Sequence, residues 1–204
     1  MYIIYNSSFY KYKIKGSTFI SHIFKVNHLK MFKKKFLKIK NQYSDSTHVC
    51  YGYRIQSKNT NLFNELDIIE YYNDDGEPSG TSGKQILNTL KRNDIVNCVI
   101  FIVRYYGGTK LGIPGLIDAY KIGSVEIIKQ SILNEYIPKK TISIKFNYGV
   151  NKAVDLIIKK FKCKILNNDF SDVITMELEV FLKDYNVVKK ELIEKTKGTI
   201  LFNE

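Results

Sequence analysis

Tryptophan is absent from this chain, and proline and cysteine occur only three times each in 204 residues. The three cysteines, Cys50, Cys98 and Cys163, include no Cys-x-x-Cys pair, which excludes a zinc ribbon and a disulfide framework and predicts reduced thiols in a cytosolic protein. No run approaches the roughly 18 apolar residues of a membrane span. The opening Met1-Tyr-Ile-Ile-Tyr5 lacks the basic-then-apolar pattern of a secretory leader. A soluble, cytoplasmic chain is therefore expected. Also missing are Gly-x-Ser-x-Gly and His-Glu-x-x-His, the local signatures of a serine-hydrolase elbow and a zinc protease. No motif calls for a cofactor, and no enzyme class is indicated by these absences.

What is present is charge of one sign. The formal net charge is +12, and residues 1–40 hold ten lysines and no acid, whereas Asp74, Asp75 and Glu77 cluster in a short segment without a base. A concentrated basic surface attracts polyanions, chiefly RNA, DNA or an anionic membrane face. Only three of the 32 basic residues are arginine, and the excess of Lys, Ile and Asn is equally what an AT-rich coding sequence produces. Apolar residues at 44 % and aromatics at 13 % suffice for a core, which excludes wholesale disorder.

Periodicity then orders the chain. Residues 10–26 alternate around Gly16-Ser17 and predict two strands or one bent strand. Leu29, Phe32, Phe36, Ile39 and Tyr43 recur at three- and four-residue steps, an amphipathic helix with Asn27 as cap. That helix presents lysines, so it either lies on a membrane surface or buries Phe32 and Phe36 in a core. A strand over 47–56 and a polar loop over 57–66 follow. Residues 82–92 suit a short helix, Ile95–Val103 a strand covered on both faces, and Pro114 to about Asn134 a largely buried helix. Beyond Pro138 the period switches cleanly through strand, helix, two strands, helix and strand, a βαββαβ ferredoxin-like order. An α+β chain is expected, with domains at 1–137 and 138–204.

Eight of the twelve glycines lie in 76–123, seven of them in two motifs. The first is Asp74-Asp-Gly-Glu-Pro-Ser-Gly-Thr-Ser-Gly-Lys-Gln85. One reading is an acidic turn leading into a helix capped by Thr81 or Ser82. The other is an anion site at the helix start assisted by Lys84, with Asp74, Asp75 and Glu77 as oxygen ligands for a divalent ion. It is no Walker A loop, because Pro78 takes the place of its first glycine and Gln85 that of its Ser/Thr. The second motif is Val103-Arg-Tyr-Tyr-Gly-Gly-Thr-Lys-Leu-Gly-Ile-Pro-Gly-Leu116. Here Arg104 and Lys110 suit phosphates, Tyr105 or Tyr106 can stack on bases, and Gly107 and Gly108 admit a ligand's close approach. Alternatively the tyrosines fill an interface and the glycines only turn the chain. His48 and Cys50, two apart on one strand, share a face, which ordinary packing explains.

These residues resemble the IMPACT/YigZ family. The matching segments are Lys15–Ile20, His48–Arg54, Asp74–Lys84 and Val103–Gly108, with Leu111, Gly112, Gly115, Leu116, Ala119 and Tyr120. The resemblance implies an N-terminal domain like the second domain of ribosomal protein S5, and a ferredoxin-like C-terminal domain similar to domain V of elongation factor G. It also implies a role beside translation, since eukaryotic relatives act in translational control through an extra N-terminal domain, whose partner is not expected here. RNA or a ribosomal surface is the expected partner, with no DNA specificity and no membrane. The alternative is a metal-dependent enzyme acting on a phosphorylated small molecule.

Overall fold

In the computed structural model, which describes residues 1–60 and 66–203, the apolar run after Ile95 becomes a strand with helices on either side. Two compact units divide the chain, Met1–Tyr136 and Ile137–Glu204.

The first unit contains β1 (Tyr2–Ile4), β2 (Ser8–Ile14), β3 (Ser17–Lys25), α1 (Leu29–Gln42), β4 (His48–Thr60), β5 (Leu66–Asn73), α2 (Gly83–Arg92), β6 (Cys98–Tyr105), α3 (Gly112–Lys129) and β7 (Leu133–Glu135). Five of its strands form an antiparallel sheet in the order β2-β3-β6-β4-β5. Strand alternation splits β6 between two cores. Val99, Phe101 and Val103 pack with Phe32 and Ile39 of α1, while Cys98, Ile100 and Ile102 pack with Ile86 and Leu90 of α2 and Leu116, Tyr120 and Ile127 of α3. Phe32 of α1 is buried, its ring 4.7 Å from Tyr53 and 6.0 Å from Phe101, so the apolar stripe of this lysine-rich helix faces the sheet. No helix among the described residues is long and apolar enough to cross a membrane.

Several boundaries differ from expectation. The cap of α1 is His28, not Asn27: its Nδ1 accepts from Met31 N at 3.1 Å. The hairpin β2–β3 turns through Lys15 and Gly16, both at positive φ, the two-residue geometry that fits strand twist. The expected loop at 57–66 is strand as far as Thr60, and residues 61–65 lie outside the described residues. Helix α3 stops at Lys129, because Leu133–Glu135 finds an antiparallel partner in Tyr2–Ile4.

The second unit contains β8 (Lys139–Phe146), α4 (Asn151–Lys160), β9 (Lys164–Phe170), β10 (Ile174–Phe181), α5 (Tyr185–Lys195) and β11 (Leu201–Asn203). Its antiparallel sheet has the order β11-β8-β10-β9. Ile142, Ile144, Ile174, Met176 and Leu178 turn one face toward Val154, Ile157, Val188 and Leu192 of the two helices. Thr175, Glu177 and Glu179 alternate with them on β10 and lie on the other face.

Candidate functional site

The two glycine-bearing motifs meet at one end of the five-stranded sheet. Residue 104, near the end of β6, stands opposite both Phe19 of β3 and His48 of β4. Alternation then sends Arg104 to the α2/α3 side and Tyr105 to the α1 side. Loop 74–82 folds back over the start of β4. Its middle supplies Glu77, whose Oε1 accepts from Arg104 Nη1 at 2.6 Å and from Tyr120 Oη at 2.8 Å. The Glu77 and Arg104 side chains are 3 % and 6 % exposed, so this ion pair is buried. Arg104 Nη2 also donates to Ser17 Oγ at 3.3 Å, whereas its buried Nε has no partner among the described residues.

Arg104, expected as a phosphate ligand, is held first of all from within the protein. Its charge is committed to Glu77, and its guanidinium lies between the rings of Phe19 and Tyr106 at 5.5 and 5.6 Å. Of the two tyrosines, Tyr105 is half-buried and donates to Asp45 Oδ1 at 2.8 Å. Tyr106 is 47 % exposed and donates to the Gly108 carbonyl at 2.7 Å. Gly107 does permit a close approach, but by the chain's own turn: its amide donates to Ser17 Oγ at 3.2 Å and its Cα lies against Gly16. Gly108, at φ +83°, has open space around it. Lys84 and Lys110 are exposed and take part in no ion pair among the described residues.

The anion site expected at the start of α2 is filled from within. Asp74 Oδ1 accepts from Ser82 N at 3.2 Å, Ser82 Oγ at 2.7 Å and Gly83 N at 2.8 Å, while Oδ2 accepts from Gly80 N at 2.9 Å. Its carboxylate thus does what a bound anion would do at a helix N-terminus. Asp75 Oδ2 accepts from Val49 N at 2.6 Å and Lys40 Nζ at 3.0 Å. Asp74, Asp75 and Glu77 each answer to different donors, and the divalent-ion site expected from their spacing is not assembled. Among the described residues no group of three or more His, Cys, Asp or Glu could hold a metal.

Asp74 makes a prediction. Burial alone would raise its pKa, but the hydrogen bonds from Gly80, Ser82 and Gly83 outweigh it and hold the carboxyl below its usual range. A depressed folded-state pKa contributes stability that is present above the unfolded value and lost as pH falls through the folded one. Asp74→Asn should lower stability by about 1–2 kcal/mol at pH 7. The gap from wild type should close as urea midpoints are followed downward from about pH 4. A gap that persists into strong acid would contradict the capping role.

His48 was legible only as a neighbour of Cys50; its partner in space is Glu77. The His48 ring contacts the Asp75 carbonyl through Nδ1 at 2.8 Å. A carbonyl only accepts, so Nδ1 carries a proton toward it, and Nε2 lies 4.0 Å from Glu77 Oε1. Cys50 Sγ lies 3.1 Å from the Asp74 carbonyl and 3.3 Å from Tyr120 Oη, and burial, aided by the Glu77 and Asp75 carboxylates, pushes its thiol up to about 12. It is a packed thiol, not a nucleophile. His48, Gly76, Glu77, Arg104, Tyr106 and Lys110 open onto a cleft of about 460 Å³ whose apolar wall belongs to Pro78 and the start of α3.

Comparison with known proteins places this site in a family. Residues 15–128, which include both loops and the buried pair, match the model of the Impact N-terminal domain. A relative from Haemophilus influenzae described as an IMPACT family member is 28 % identical over 93 % of this chain and 89 % of its own length. The IMPACT family member YvyE of Bacillus subtilis is 29 % identical over 91 % of this chain and 82 % of its own. A solved structure described only as a hypothetical protein, 21 % identical, superposes with a TM-score of 0.66 over 98 % of this chain and 95 % of that one, and so shares its fold. With the family model matched across more than half of its residues, the chain belongs to the IMPACT family.

Proposed function

We propose that this protein is a cytoplasmic RNA- or ribosome-binding module that acts in the regulation of translation. In this reading the N-terminal unit is the counterpart of the second domain of ribosomal protein S5. The C-terminal unit is a ferredoxin-like domain similar to domain V of elongation factor G, a reading supported by its βαββαβ order and its strand order β11-β8-β10-β9. The link to translation rests on the family resemblance.

The observation that carries RNA binding is the placement of the acid-free lysines. Lys30, Lys33, Lys34 and Lys38 are exposed on α1. Lys11 and Lys13 are exposed on β2, opposite Ile20 and Thr18, and Ile20 belongs to the α1-side core, so all six flank one face. Of the ten lysines in residues 1–40, only Lys40 has an ion-pair partner among the described residues. Burial, with a smaller contribution from the nearby Lys38, pulls the pKa of His22 down to about 4. Phe9, 66 % exposed beside His22, adds an aromatic ring on which a base can stack. Unpaired like charges repel one another in the free protein, and a phosphate backbone relieves that repulsion. Lys84 at the start of α2, with Tyr106 and Lys110 on the loop after β6, is exposed and can add contacts at the sheet end.

The triple variant Lys33→Ala, Lys34→Ala, Lys38→Ala removes three charges without touching the core. Its binding to a structured RNA hairpin, measured across salt concentrations, should show a slope of log K against log salt about 2–3 smaller in magnitude than wild type. Lys110→Ala alone should change that slope by at most about 1. An unaltered slope in the triple variant would remove α1 from the RNA surface.

A further inference from the structure

The cleft beside the Glu77–Arg104 pair has no part in RNA binding by α1, and its chemistry is different. We propose that it binds a small organic oxyanion, a phosphate or carboxylate group carried on an apolar aliphatic or aromatic body.

Size comes first. About 460 Å³ lies within the range of clefts that hold metabolite-sized ligands, and it far exceeds what an inorganic anion fills. Charge selects the sign. Glu77 is the sole carboxylate on the wall and is neutralised by Arg104, which leaves Lys110 uncompensated, so the lining has an excess of one positive charge. Helix α3 starts in the same wall at Gly112 with no acid in its first turn and no side-chain cap. Gly112 and Ile113, both in the cleft wall, thus open a helix that has no acidic cap of the kind Asp74 provides for α2.

A second observation is independent of the helix. Arg104 is 5 % exposed and already held in place by Glu77 and Ser17, yet its Nε donor has no partner among the described residues. A buried guanidinium that is one acceptor short, on the wall of a cleft with one uncompensated positive charge, favours a ligand that brings oxygen acceptors. The other wall is apolar: Leu116 is buried at its base, and Ile113 stands 59 % exposed at its rim. A wholly polar anion would leave these side chains facing water, whereas an apolar body covers them. His48, its ring held by the Asp75 carbonyl through Nδ1, adds a polar group to the same wall.

The test uses the full chain, labelled with ¹⁵N, and two probes: phenyl phosphate and the uncharged benzyl alcohol. Phenyl phosphate should produce saturable amide shifts at Gly76, Glu77 and Lys110 to Ile113, and benzyl alcohol should not. Lys110→Ala and Ile113→Asp, both at exposed positions that leave the core intact, should each weaken phenyl phosphate binding at least about tenfold. Absence of saturable shifts at those amides would overturn the proposal. So would shifts confined to the α1 lysines, or binding indifferent to both variants. RNA affinity is read on the α1 variants and cleft binding on these two, so the failure of one leaves the other standing.

Discussion

Glu77→Ala is expected to destabilise the N-terminal unit by about 3–5 kcal/mol, the cost of removing one member of a buried ion pair. That is a large share of the roughly 5–15 kcal/mol that holds a domain together. The loss comes less from attraction forgone than from what stays behind. Arg104, 5 % exposed, would keep its charge with little solvent to replace the lost carboxylate, and Tyr120 Oη would lose its acceptor in the α2/α3 core. Arg104→Met should cost a similar amount by stranding the carboxylate instead. The double variant Glu77→Leu, Arg104→Met separates this account from a general sensitivity of the loop. With both charges gone it should be far more stable than the sum of the single losses implies, because neither desolvated ion remains. Urea unfolding followed by far-ultraviolet circular dichroism measures all four proteins. Losses under about 1 kcal/mol in both single variants would mean that the pair is not buried as described.

The same pair marks where reading the chain alone succeeded and where it stopped. Residues 95–103 announce a strand covered on both faces because each of two alternating rows is apolar, and the two rows of β6 do enter separate cores. The α1 stripe is equally plain at Phe32 and Ile39, since burial of every third or fourth side chain is a local property. Pairing with a distant partner is not local. Leu133–Glu135 looks like the tail of a helix until Tyr2–Ile4 is beside it, and Leu66–Asn73 carries no strong alternation and became visible as a strand only through its register with β4. The family resemblance carried further than periodicity, because whole segments matched in order.

The candidate site was legible by segment, but the contacts its residues make inside the protein were not. Arg104, Lys110 and Asp74 stand in glycine-bearing loops, and such residues suggest ligand chemistry wherever they occur. Nothing in their spacing says that Asp74 turns back onto the amides of residues 80, 82 and 83, or that Glu77 crosses to Arg104, 27 positions away. A charge satisfied from within the protein and one waiting for a ligand look identical in a sequence. His48 was underrated for the converse reason: its neighbour in the chain is inert, while the groups that face its ring come from residues 75 and 77.

Gly107→Ala should cost about 3 kcal/mol or more, at the severe end for a single added methyl group. A Cβ built on Gly107 would sit 1.9 Å from the Gly16 carbonyl carbon, 2.2 Å from its oxygen and 2.3 Å from Ser17 N. All three are backbone atoms of a tight hairpin turn, so no side-chain rotation relieves the overlap. The turn must move away from the end of β6, and the hydrogen bond from Gly107 N to Ser17 Oγ breaks as it does. Ser17 Oγ also receives Arg104 Nη2, which couples the damage to the buried pair and to the cleft wall. Gly108→Ala is the informative neighbour. It has open space for a methyl group but a φ of +83°, so backbone strain alone should cost it about 1–2 kcal/mol. Gly149→Ala, with neither crowding nor positive φ, should be nearly neutral. The order Gly107, Gly108, Gly149 in decreasing loss therefore follows from contact, strain and neither. Thermal or urea unfolding of the three variants checks it, and equal losses at 107 and 108 would show that the two turns do not interlock.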